Sequence, residues 1–113
     1  MSGEGNGGAL GPALIWCPFP DSDAAATACS ALLDEGLIAC ANMLPGIHSV
    51  FIWNGERGES AETGALLKTD AALLDKAIAR LGELHPYDEP AITGWRCDAA
   101  LPATAAWLGG LVQ

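Results

Sequence analysis

Leu37–Gly55 reads LIACANMLPGIHSVFIWNG, and its interpretation sets the architecture of the whole chain. From Leu37 through Trp53 the residues are mostly apolar or β-branched, interrupted only by Pro45-Gly46. The run ends at Asn54-Gly55, a dipeptide that tolerates positive φ at both positions and is the strongest two-residue hairpin signal. A long bent strand that turns back on itself is predicted. The returning strand is harder to read, because Ala61-Glu62-Thr63-Gly64-Ala65 is small and polar before Leu66-Leu67-Lys68-Thr69 becomes strand-like. A loose hairpin tip is therefore expected.

Upstream, Ala13-Leu14-Ile15-Trp16-Cys17 is a short continuous apolar run closed by Pro18 and Pro20, which suits a strand buried on both faces. Asp21-Ser22-Asp23 offers capping oxygens and acids at the positive end of a helix. Ala25, Ala28, Cys29, Leu32 and Leu33 then share one helical face, and Gly36 supplies the left-handed stop. Downstream, Asp70 caps a second helix with Leu73, Leu74, Ala77, Ile78 and Leu81 on its apolar face. His85-Pro86 ends it, since the residue before proline avoids helical dihedrals. Ala91–Arg96 reads as a fourth strand and Leu101–Leu111 as a terminal helix anchored by Trp107.

Strand, helix, strand, strand, helix, strand and a tail make an α+β chain. Two right-handed strand-helix-strand units joined by a hairpin give a ferredoxin-like βαββαβ sandwich, an antiparallel sheet with both helices on one face. The other face is left with only the tail to cover it, so an oligomer that buries sheets against one another is expected.

With 113 residues, half of them hydrophobic, the chain has one domain's worth of core. Residues 1–11 are expected to be a flexible Gly-rich leader and 12–113 a single domain. Fourteen acidic against five basic side chains give a net charge of -9, which repels phosphate backbones and anionic lipid. No nucleic-acid or membrane partner is expected. The leader lacks the basic and apolar regions of a secretory signal. The four cysteines form no Cys-x-x-Cys pair, so a cytoplasmic protein with free thiols is predicted.

Nothing in the sequence points to nucleotide chemistry or to a nucleophile elbow. His48 and His85 are the only imidazoles, and neither has a hydroxyl or thiol at a recognisable spacing. The most distinctive string is His85-Pro86-Tyr87-Asp88-Glu89-Pro90. It reads either as a rigid connection in which Tyr87 plugs a crevice or as a polar cluster able to bind a cation or a small effector. In the expected sheet the end of the first strand, at Cys17, meets the start of the fourth, just after His85, so these two side chains can approach. Cys40 falls about 10 Å away laterally and at the opposite end. A single ion therefore cannot bind Cys17 and Cys40 of one subunit at the roughly 2.3 Å of a metal–sulfur bond. Thiolate with imidazole selects copper or zinc. Taken singly, Cys29 and Cys40 read as small buried hydrophobes, and Cys97 has no nearby partner. Trp53, beside the turn, points to interface packing in preference to ligand stacking. Glu56, Glu59 and Glu62 read as a solvated face or a loose site for hard cations.

The ordered set Leu37-Ile38-Ala39-Cys40-Ala41-Asn42, Leu44-Pro45-Gly46, Ser49–Trp53 with Gly55, Leu67-Lys68-Thr69, His85-Pro86-Tyr87 with Pro90, and Trp107-Leu108 resembles the CutA divalent-cation tolerance proteins. It covers nearly all of Leu14–Leu111. The resemblance implies a tight homotrimer similar in architecture to the PII signalling proteins, linked to tolerance of copper and other divalent metal ions, with no enzymatic reaction and no obligatory cofactor. Proposed copper ligands of the family match Cys17, Cys40 and His85. These must come together across subunits or bind metal separately. The alternative is a PII-like small-molecule-sensing or partner-docking trimer, with an effector cleft at Tyr87, Asp88, Glu89 and Lys68. The chain departs from the family's pattern at Glu56, where a basic residue is usual, at Ala91, where glutamate is common, and at Ala61–Ala65, which is less apolar than the usual third strand.

Overall fold

Strict alternation along β1, Pro12–Phe19, puts Ala13, Ile15, Cys17 and Phe19 on one face, each wholly buried in the computed structural model, which describes residues 8–113. Leu14 and Trp16 on the other face are only half-buried. The expectation of burial on both faces thus gives way to a strand with one fully buried face and one that is only partly covered. The following helix α1, Ser22–Asp34, begins where Asp21 accepts the Ala24 amide at 2.8 Å. Ala25, Ala28, Cys29 and Leu32 are buried, whereas Leu33, at the margin of the stripe, stays exposed.

The hairpin consists of β2, Cys40–Trp53, and β3, Glu56–Asp70. Asn54 (φ 51°) and Gly55 (φ 80°) form its turn in the left-handed region. The expected loose tip is not found. Trp53 pairs with Glu56, and the ladder continues unbroken to Ile47 opposite Glu62, so Ala61–Ala65 is a paired strand in spite of its composition. The bend lies at Pro45-Gly46, where the register shifts between Leu44 and Ile47 and Gly46 adopts φ 79°.

A 3-10 turn at Ala71–Leu73, capped by Asp70, leads into α2, Leu74–Leu84, which ends at His85 in extended backbone. Strand β4 is shorter than predicted, Thr93–Arg96, since Ala91 and Ile92 still belong to the connection. The final helix α3, Pro102–Gly109, is continued by a 3-10 turn at Gly110–Val112.

The sheet order is β2-β3-β1-β4, antiparallel at every pairing. Helices α1 and α2 share a core with β1 and β3 around Ile15, Phe19, Leu32, Leu67 and Leu81. A bidentate Arg80–Glu35 pair, with contacts of 2.8 and 3.0 Å, ties the end of α1 to α2. Helix α3 lies against β1 and β3, and its buried Leu108 stands outside that core cluster. Residues 1–7 of the predicted leader lie outside the described residues. Its last residues are fastened, with Leu10 and Gly11 giving their amides to the buried Asp70 at 2.9 and 3.1 Å. No helix among the described residues is long and apolar enough to cross a membrane.

Candidate functional site: the cleft between hairpin and strap

His85 is held at the end of α2 by the extended backbone that Pro86 imposes, and it is almost fully buried. Its ring stacks on Phe19 with centroids 4.4 Å apart. Nδ1 accepts the Tyr87 amide at 3.1 Å, which leaves Nε2 to carry the proton and donate to the Pro18 carbonyl at 2.8 Å. Both ring nitrogens are thus engaged. Cys17 directs its Sγ to the same Pro18 carbonyl at 3.6 Å. The two side chains approach each other, as the strand order requires, through a shared acceptor.

That arrangement does not suit a metal ion. A ligating cysteine must be a thiolate and a ligating imidazole must offer a free lone pair. Burial, reinforced by Cys29 and Glu62, pushes the Cys17 thiol up to about 12, and the Nδ1 lone pair of His85 is already taken. Cys40 lies on the other sheet face, level with Lys68 and through it with Leu14, its Sγ 3.7 Å from Asn42 Oδ1. It is the one member of the predicted ligand set that is partly exposed. Among the described residues no three His, Cys, Asp or Glu side chains are grouped so as to hold a metal ion. Cys29 is buried in the α1 core face, and its thiol is likewise pushed up, to about 11, by burial.

Beyond His85 the connection Pro86–Ala91 forms a strap facing the hairpin arm. Between them is a cleft of ≈ 910 Å³ walled by Pro18, Phe51, Trp53, Glu62, Tyr87 and Glu89. Tyr87 joins the strap to the hairpin by donating its hydroxyl to Glu62 Oε2 at 2.7 Å. Burial and then this bond push the Tyr87 phenol up to about 12, so it remains a donor at neutral pH. Gly58 opposite Phe51 is needed here, because a Cβ at that position would stand 2.5 Å from the Phe51 ring. Asp88 and Glu89 of the predicted effector set line the cleft with Tyr87. Lys68 does not, being farther along β3 on the open sheet face beside Cys40.

Sequence reading did not place Phe51, Trp53 and Glu62 in a cleft. The signal was available in the turn: with Trp53 opposite Glu56, alternate pairs put Ser60 and Glu62 on the same side as Phe51 and Trp53.

The fold and these strings are those of a known group, since the model of the CutA1 divalent ion tolerance protein family matches residues 13–110. The chain belongs to the CutA1 family. It is 44% identical over 80 residues to the divalent-cation tolerance protein CutA of Pyrococcus horikoshii, covering 70% of this chain and 76% of that one. It is 40% identical over 79 residues to CutA of Thermus thermophilus, covering 70% and 77%. Among solved structures, CutA from Xylella fastidiosa superposes with a TM-score of 0.85 at 32% identity, covering 90% of this chain and 98% of that one. The CutA1 family is described by divalent ion tolerance and not by a reaction.

Proposed function

We propose that the protein is a non-enzymatic, cytoplasmic homotrimer of ferredoxin-like subunits that confers tolerance to copper or another divalent ion by binding it. Membership of a divalent-ion tolerance family supports the cation part of this reading. The observation that carries assembly is the apolar far face of the hairpin end, where Val50 and Ile52 are 63% and 72% exposed on an otherwise acidic chain. Such a surface is stable when a second copy covers it. Of Cys17, Cys40 and His85, Cys40 is the residue an incoming ion can reach, and in the trimer it would act with groups from a neighbouring subunit. The four unpaired thiols agree with a reducing compartment.

Native mass spectrometry of the reduced, chelator-treated protein, followed by titration with copper and zinc, tests this. Expected is a three-chain species that takes up an integral number of ions per trimer, with uptake lost in Cys40→Ser and retained in Cys17→Ser. A monomer would overturn the assembly, and a trimer indifferent to both ions would overturn the binding.

The cleft favours a second reading, a PII-like sensor in which a small organic effector seats between the hairpin and the strap. Its volume lies within the range of ligand pockets, and it joins aromatic walls to a few fixed polar groups.

A further inference from the structure

The cleft's lining is one-sided in charge. Glu62, Asp88 and Glu89 contribute carboxylates, and no Lys, Arg or His is among the lining residues. Among the described residues none of these three acids is engaged in an ion pair. The basic groups of the arm are kept off this side by the pleat: His48 and Arg57 fall on the opposite face from Ser49, Phe51 and Trp53, and His48 is turned to Glu59 at 2.6 Å. The cleft side also carries the aromatic rings of Phe51, Trp53 and Tyr87. Phe51 is fixed there because Gly58 leaves its ring room to lie on the strand. Glu62 is fixed by the Tyr87 hydroxyl.

A bare metal ion needs ligands gathered within bonding distance, and the acids here are not so gathered. A larger cation has different needs. Ring faces attract an ammonium or guanidinium group, a carboxylate pairs with it, and the apolar walls accept its carbon skeleton. We propose that the cleft between the hairpin and the strap binds an organic monocation with an apolar body, its ammonium group directed to Glu62 and its skeleton against Phe51 and Trp53. This rests on the sensor reading and names the ligand class of that site.

The test uses the full-length, chelated protein, with its oligomeric state recorded on the same sample. Calorimetric titration compares three molecules of nearly one shape: 2-phenylethylammonium, the neutral 2-phenylethanol and the anionic phenylacetate. Expected is binding of the ammonium roughly tenfold or more tighter than the alcohol, with no binding of the anion. Glu62→Gln, which keeps an acceptor for Tyr87, and Trp53→Ala should each weaken the ammonium roughly tenfold while the oligomer persists. Equal binding of the alcohol and the ammonium would overturn the ligand class and leave the sensor reading standing. Failure of all three molecules to bind would overturn the sensor reading itself. Tight ammonium binding unchanged in both variants would overturn the placement in this cleft.

Discussion

Cys17 shows how one side chain can have the composition of a ligand and the environment of a core residue. It is wholly buried on β1, and its thiol is held protonated because ionisation there would strand a charge in apolar surroundings. In the unfolded chain the thiol ionises near its ordinary value of 9.0, whereas in the fold it does so only at about 12. Between these values the folded state holds more protons than the unfolded one, so stability is undiminished below the lower value and falls as pH rises through the window. Urea midpoints measured across that range should decline for the native chain, and Cys17→Ala should flatten the decline. An identical slope in the variant would refute the assignment. The approach of Cys17 to His85 was legible from strand order alone. That both ring nitrogens of His85 are spent on the Pro18 carbonyl and the Tyr87 amide was not, because it depends on ring orientation, which residue spacing does not encode.

At the level of elements, the strands of the core were readable and the arm was only half so. The helices bury one face each, which leaves a period in the sequence, although the margin of that face misled at Leu33, whereas β1 is apolar on both faces and its sequence hid that only one is fully buried. The arm beyond Pro45-Gly46 contributes nothing to the core cluster, and of Ala61–Ala65 only Ala65 belongs to it, so little in that segment forces an alternation. Its register comes from the turn and from close packing. Gly64 is buried where a Cβ would collide with the Trp16 ring and with Ile47, which locks β3 between β1 and β2 at the bend. Gly64→Ala should therefore lower unfolding stability by about 1–3 kcal/mol through overpacking. Gly110→Ala, which meets open space, serves as the control and should change it little. Equal midpoints for the two variants in chemical denaturation would show that the bend is looser than the packing implies.

Taken whole, the molecule extends 53 × 26 × 23 Å, too long for its core. The arm accounts for that length, and a two-stranded ribbon has little stability unless something packs on it. Its two faces differ in use. Val50 belongs to the face away from the cleft and does not line it, so Val50→Glu should dissociate the proposed oligomer in native mass spectrometry while circular dichroism reports an intact core. Persistence of the three-chain species would move the interface elsewhere. Glu62→Gln, on the cleft side, should leave assembly intact, which separates the two surfaces by experiment.

Asp70 also bears on the order of events at synthesis. Its carboxylate gathers the amides of Leu10, Gly11 and Ala72, joining positions as far as 60 residues apart. A nascent chain cannot form this knot until β3 has left the ribosome and aligned with β1, because contacts so distant in sequence wait for the topology to close. The first strand of the domain to be made thus waits for the third before its N-terminal edge is fastened, and until then a protease or a chaperone meets that edge loose.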